Sequence, residues 1–110
     1  MDKLIHYREL IKKELSGFKH DYGKPDVETQ LIFDTEHDHY QVISVGWDKK
    51  QRVHGIILHV DIRSGKIWIQ YNGTETDIAQ VLVEKGVPKS DIVLGFQSPF
   101  KRQFTEFAVG

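Results

Sequence analysis

Alternation of apolar and polar residues on both sides of Ser64-Gly65 is the feature that most constrains this chain. A two-residue turn there predicts a β-hairpin in which every second cross-strand pair is apolar on both strands. A slip of one residue would turn Ile62 toward the polar face, so the turn and the pattern specify the same register. From the turn outward, the predicted pairs are Arg63 with Lys66, Ile62 with Ile67, Asp61 with Trp68, Val60 with Ile69, His59 with Gln70 and Leu58 with Tyr71.

Two further segments extend the hairpin into a sheet of four antiparallel strands. Alternation from His39 to Trp47 predicts a strand that reaches the hairpin through a short loop and places Ile43 opposite Ile56. In the strand before it, Leu31 and Phe33 must face the core. A four-residue loop would turn those residues away from the core, so we predict an odd-length loop or a β-bulge between residues 35 and 38.

Helices flank the predicted strands. Apolar residues recur at spacings of three and four over the first eighteen positions, which predicts an amphipathic helix that ends near Gly17. A second helix is predicted to begin with Thr74 as its N-cap, and Gly86 and Pro88 end it.

The fold class is therefore α+β, with a single domain spanning residues 1–110. Its predicted order is an N-terminal helix, a four-stranded antiparallel sheet, a second helix, and a short C-terminal strand or extended tail. We expect the helices to cover one face of the sheet and the other face to stay partly open.

Composition excludes several classes of protein. Fifteen Lys and Arg against sixteen Asp and Glu give a net charge of −1, which disfavours strong non-specific DNA binding. The absence of cysteine excludes disulfide scaffolds, thiolate metal sites and cysteine nucleophiles. The longest apolar run is three residues and no targeting signal is present, so we expect a cytoplasmic protein without a membrane contact.

Two polar clusters are candidates for chemistry. The acids and histidines of residues 34–39 lack a recognised metal-ligand spacing, and aspartates in such a turn usually bind their own backbone. His59 and Asp61 lie two apart on one sheet face, as a general base and its orienting carboxylate would. Since no nucleophile or second acid accompanies them, we expect no catalytic residue. Since the polar run at residues 34–39 lacks a ligand spacing, we expect no metal site, and we expect no cofactor.

Trp68 is the aromatic residue that the alternation turns away from the core. Large aromatic residues ringed by polar groups recur at binding hot spots, and a homodimer through this face is one possibility. The alternative is that the C-terminal tail or the first helix covers Trp68. The candidate partner-binding residues are Trp68, Lys66, Gln70, His59, Asp61 and Phe100.

The tail combines a basic pair, Lys101 and Arg102, with aromatic residues on each side. Such interleaving suits stacking on bases and contact with phosphates. With only two cations, followed at once by Glu106, a solvated tail held down by its phenylalanines fits the composition equally well. The candidate DNA-contacting residues are Lys101, Arg102 and Arg63, together with Lys66.

Three stretches resemble a known family over nearly the whole chain. They are LIFDTEHDHYQVISVGWD at 31–48, HVDIRSGKIWIQYNGTETDIA at 59–79 and GVPKSDIVLGFQSPFKRQFTEFAVG at 86–110. They are similar to the XisI-like proteins of cyanobacteria, the fdxN element excision controlling factors.

The resemblance implies a non-catalytic accessory factor in excision of a DNA element during heterocyst differentiation. It implies that a site-specific recombinase performs the DNA recombination and that the factor acts with a nuclease-like companion protein, XisH. We therefore expect an XisH-like partner and a homo-oligomer, with the recombinase or, indirectly, DNA as further partners. The alternatives are direct DNA contact beside the recombinase, or a small enzyme built on His59 and Asp61.

Overall fold

The computed structural model describes residues 2–18 and 24–110. In chain order the elements are helix α1 (Lys3–Ser16), strands β1 (Val27–Asp34), β2 (His39–Asp48), β3 (Gln51–Arg63) and β4 (Lys66–Asn72), helix α2 (Ile78–Glu84), a 3-10 turn (Lys89–Asp91), strand β5 (Ile92–Leu94) and helix α3 (Pro99–Arg102). None of the described helices is long and apolar enough to cross a membrane.

The strands form one sheet in the order β1-β2-β3-β4-β5. The first four are antiparallel neighbours, whereas β5 lies parallel to β4. The predicted α+β class is confirmed, but the sheet has five strands rather than four. After β4 the chain passes through α2, and the short C-terminal strand then joins the sheet as the fifth strand. Ala108 forms a β-bridge with Val93 at the outer edge of the sheet.

A β-bulge in β3 explains why one prediction about strand parity is wrong. Ile43 lies opposite Ile56, as predicted, but the next pair is Val42 with Leu58, so Ile57 is an extra residue. The loop between β1 and β2 is regular, with Asp34 opposite His39. The irregularity therefore lies in β3, and no odd-length loop is needed between residues 35 and 38.

A second bulge lies in β4. The four pairs nearest the Ser64-Gly65 turn are confirmed, from Arg63 with Lys66 to Val60 with Ile69. His59 then lies opposite Tyr71 instead of Gln70, and Leu58 lies opposite Asn72 instead of Tyr71. Gln70 is the extra residue, so the two outermost predicted pairs are wrong.

Both long helices cover the same face of the sheet, as predicted. Alternate residues of the strands meet the apolar side of α1 and α2 in one hydrophobic core. The fully buried core side chains are Tyr40, Ile11, Leu15, Leu58, Ile67, Ile69, Leu82, Ile92, Val42, Val60 and Val87. The opposite face, which we call the open face, is covered by neither α1 nor α2.

Capping residues set the helix boundaries. Asp2 caps α1 by accepting a hydrogen bond from the backbone N–H of Leu4 at 2.8 Å. Asp77, rather than the predicted Thr74, caps α2, and it accepts from the backbone N–H of Gln80 at 3.2 Å. Thr74 instead donates its hydroxyl to the side chain of Asn72 at 2.6 Å, within the loop that precedes the helix.

A carboxylate in the first hairpin turn ties α1 to the sheet. Asp38 accepts from Nε and Nη2 of Arg8 at 2.8 and 3.1 Å and from the hydroxyl of Tyr40 at 2.9 Å. Its backbone oxygen accepts the N–H of Ile62 at 3.1 Å, which joins the turn to β3. The hydrogen bond from Arg8 holds the pKa of the Asp38 carboxyl below its usual range.

A second link joins α1 to the far edge of the sheet. The Tyr7 hydroxyl donates to Asp91 Oδ2, and Lys3 Nζ lies 3.2 Å from the same oxygen. Burial, together with this hydrogen bond, raises the pKa of Tyr7 to about 12. The helix is thus held at both sides of the sheet by a carboxylate.

Among the glycines that the structure describes, Gly46 is the one where an added Cβ would lie nearest to other backbone, so we expect Gly46→Ala to destabilise the fold. A Cβ at this position would lie 2.0 Å from the backbone oxygen of Asp26, which accepts the N–H of Trp47 at 3.0 Å. The expected loss in free energy of unfolding is about 2 kcal/mol or more, measured by urea denaturation. Gly55→Ala is the control, because a Cβ there meets no atom within 4 Å; equal losses in both variants would contradict this account.

Asp38→Asn should lower the free energy of unfolding at neutral pH by about 1 kcal/mol, allowing for partial solvent screening. Asp38 has φ of 60°, a conformation that asparagine also adopts, so the backbone is preserved. Because the folded-state pKa is depressed below 3.8, the contribution is present above that value and is lost as pH falls through the folded-state pKa. Denaturation curves from pH 7 to 2 should therefore converge at the acid end.

The control is Asp48→Asn, which removes a more exposed pair with Lys24 at 3.3 Å. We expect a loss below about 0.5 kcal/mol there. A difference between wild type and Asp38→Asn that stays constant down to pH 2 would exclude the ionised carboxylate as its cause.

Candidate functional site on the open face

The open face consists of the strand residues that point away from α1 and α2. Along β2 these are the odd-numbered residues, and the register places their cross-strand partners beside them. The face divides into a polar part near the β1–β2 turn and an apolar part toward the other end of the same strands.

Asp61 is the centre of the polar part, which we call the polar cluster: Asp61, His39, His59 and Gln70. His39 Nδ1 lies 2.9 Å and His59 Nε2 lies 2.8 Å from Asp61 Oδ1, and Gln70 Nε2 donates to Oδ2 at 3.2 Å. Asp61 is only 6% exposed, so these contacts satisfy a buried carboxylate. The hydrogen bond to Asp61 raises the pKa of His39 above its ordinary value.

An open depression of about 420 Å³ lies over the polar cluster. The donor atoms of His39, His59 and Asp61 lie within 4.8 Å of one another beside it. The predicted neighbours His59 and Asp61 are thus brought together, and His39 joins them from β2. The sequence pattern misses His39. If the pairing of Ile43 with Ile56 continued without a bulge, His39 would lie opposite Val60 and not beside Asp61.

The polar run at residues 34–39 does not act as one cluster. Asp34 Oδ1 accepts the backbone N–H groups of Glu36 and His37, each at 3.0 Å, which lowers the pKa of Asp34. This is the backbone-binding turn expected from the sequence. Asp38 faces α1 and His39 faces Asp61, so the run is divided among three different surroundings.

Trp68 is half-buried and lies against two arginines. The guanidinium carbons of Arg63 and Arg102 are 4.7 and 5.1 Å from its ring centroid, which gives cation–π contacts. Its Nε1 is buried and has no hydrogen-bond partner within the described residues. Of the two alternatives for Trp68, the structure therefore has the tail, through Arg102, covering the ring.

The cations proposed for DNA contact also serve the tail. Arg102 donates to the backbone oxygens of Gln97 and Gly95 at 3.0 and 3.3 Å, and Lys66 Nζ donates to the backbone oxygen of Gly110. Arg63 stacks on Trp68. Lys101 is exposed and belongs to the same turn of helix. DNA contact by these residues remains a prediction, and three of them already have partners in the chain.

The apolar part of the open face, which we call the apolar strip, crosses β1, β2 and β3. Three of its side chains are large and about half exposed: Ile32 at 46%, Trp47 at 51% and Ile56 at 45%. The sequence pattern misses this strip, because the alternation of Leu58, Val60 and Ile62, continued without a bulge, would turn Ile56 and its partner Ile43 toward the helices. The strip consists of Ile32, Ile43, Val45, Trp47 and Ile56.

The tail presents a second exposed apolar pair. Phe100, a predicted partner contact, is 68% exposed, and Phe104 is 75% exposed. Their rings meet edge to face with centroids 5.3 Å apart. The prediction that phenylalanines hold the tail down applies to Phe107, which packs against the core, and not to Phe104.

Comparison with known proteins identifies the family. The XisI protein family matches residues 1–109. The chain belongs to the XisI family. The resemblance seen in the sequence is thereby confirmed over the whole chain.

Two solved structures of XisI relatives from Anabaena variabilis ATCC 29413 share the fold. A XisI-like protein is 48% identical, with a TM-score of 0.92 over 97% of this chain and 99% of that one. The fdxN element excision controlling factor XisI is 38% identical, with a TM-score of 0.85 over 99% of this chain and 100% of that one. No curated protein matches the sequence.

Arg102→Ala should release the tail from the sheet edge of this XisI family member. The amide of Ala108, which donates to Ile92 at 2.8 Å, should exchange with deuterium about tenfold faster when the stacking and two hydrogen bonds of Arg102 are lost. Lys101→Ala removes the same charge from the neighbouring exposed residue and serves as the control. Equal exchange rates at Ala108 in the two variants would show that Arg102 does not hold the tail against the sheet.

Proposed function

We propose that this protein controls excision of a DNA element by binding a companion protein and does not itself cut DNA. The observation that carries the proposal is the exposed apolar strip. Family membership supports the process, since one relative is the fdxN element excision controlling factor XisI. The proposed companion is the XisH-like protein that the sequence resemblance implies.

The composition of the strip fits a protein partner. A contiguous exposed apolar patch on a soluble domain usually marks an interaction surface. Ile43 and Ile56 are direct cross-strand neighbours at its centre. Charged and polar groups border it, with Arg52 5.6 Å from the ring centroid of Trp47 at one end and the polar cluster at the other. An apolar centre within a polar rim is the usual anatomy of a protein interface.

Charge supports a protein partner over a nucleic acid. The net charge is −1, and Arg63, Lys66 and Arg102 are engaged with Trp68 and the tail. A duplex-binding surface needs several free cations placed along one groove. The apolar strip offers mainly isoleucine, valine and tryptophan.

The test is co-expression of the chain with an XisH-like protein, followed by affinity purification and light scattering of the eluted species. Ile56→Lys places a charge in the strip and should weaken the complex at least tenfold. Ile5→Lys is the matched control, because Ile5 is a 57% exposed isoleucine on α1, away from the open face. Light scattering of the chain alone tests the proposed homo-oligomer in the same experiment.

Three outcomes count against the proposal. If no complex forms, the companion is wrong. If a complex forms and Ile56→Lys weakens it no more than Ile5→Lys does, the strip is the wrong surface. If the chain alone binds DNA, direct DNA contact replaces protein contact. Such binding is recognised by its salt dependence: a plot of log affinity against log salt concentration has a slope of about −0.9 for each phosphate that the protein neutralises.

A further inference from the structure

We infer that His39, His59 and Asp61 form a binding site for one divalent transition metal ion of the Zn²⁺ class. The inference rests on the geometry of the polar cluster and stands independently of the proposed function. Among the residues that the structure describes, no other group of three histidine and carboxylate side chains brings its donor atoms within reach of one ion.

The three donor atoms are already adjacent. His39 Nδ1 and His59 Nε2 both lie within 3 Å of Asp61 Oδ1, and the three atoms lie within 4.8 Å of one another. Ligands of a tetrahedral zinc ion, each about 2.1 Å from the metal, are about 3.4 Å apart. The two nitrogen–oxygen separations must therefore lengthen by about 0.5 Å to admit the ion. The side chain of His39, which is 55% exposed, has room to turn.

The donor chemistry selects the class of metal. Two imidazoles and one carboxylate suit Zn²⁺, Co²⁺ and Ni²⁺, whereas Ca²⁺ and Mg²⁺ prefer sites made of oxygen ligands. Binding replaces the N–H donors at Asp61 Oδ1 with the ion: each ligating nitrogen gives up its proton, each neutral imidazole then carries its one proton on the other ring nitrogen, and any second proton is released to solvent. The ion also offsets the charge of the buried carboxylate, which imidazoles in the neutral form do not.

The surroundings of the cluster resemble those of a metal site. Gln70 Nε2 donates to Asp61 Oδ2, so the carboxylate is oriented with Oδ1 toward the two imidazoles. The depression above the cluster, which Ile32, Asp34 and Gln41 also line, gives an ion access from solvent. Three protein ligands leave at least one coordination position for water or an external donor.

The experiment titrates untagged, chelator-treated chain with Zn²⁺ by calorimetry and with Co²⁺ by visible absorption. We expect one ion per chain and d–d bands that report nitrogen and oxygen ligands. His39→Ala and His59→Ala should each weaken binding at least about tenfold. His54→Ala is the matched control, since His54 is an exposed histidine on the open face of the same strand and lies outside the cluster.

Circular dichroism of each variant separates loss of the ligand from loss of the fold. His39 is exposed, so His39→Ala decides the question even if His59→Ala does not fold. The inference is overturned if Co²⁺ gives no bands, or if the three alanine variants bind the metal as wild type does.

Discussion

The extra residue in β3 determines what each face of the sheet presents. Leu58, Val60 and Ile62 face the helices, and without a bulge the even-numbered residues before them would do the same. Ile57 breaks the alternation, so Ile56 joins the open face beside Ile43. The bulge also moves the register by one residue and sets Asp61 opposite His39. Both the apolar strip and the polar cluster therefore depend on this one insertion.

Asp61 shows how the sheet accommodates a buried charge. An isolated carboxylate at 6% exposure would be costly, and the strand positions around it supply three polar contacts. Two come from histidines on β2 and β3, and the third from Gln70, the extra residue of the bulge in β4. Trp68 lies next to Asp61, and Arg102 of the tail stacks on its ring. The tail, the sheet edge and the polar cluster are thus parts of one continuous surface.

Local signals in the sequence predict the elements whose determinants are local. Helix α1, the Ser64-Gly65 hairpin and the pairs nearest its turn follow from periodicity and turn chemistry. The bulges at Ile57 and Gln70 leave no such signal, because Ile56 and Leu58 are equally apolar and only tertiary packing decides which one meets α1. His59 and Asp61 were recognisable as neighbours on one strand. His39 was not, since its place beside them depends on the register that the bulge sets, and the contact of Arg102 with Trp68 joins distant segments.

Ile32 belongs to both parts of the open face, because it lies in the apolar strip and lines the depression over the polar cluster. A protein seated on the strip over Ile32 therefore also covers the rim of that depression. Covering it removes water from His39 and Asp61, and the lower local dielectric strengthens the attraction between the carboxylate and any positive group beside it. The proposed partner surface and the proposed metal site thus share Ile32 as a border, and a protein that covers this residue changes the solvent around the polar cluster.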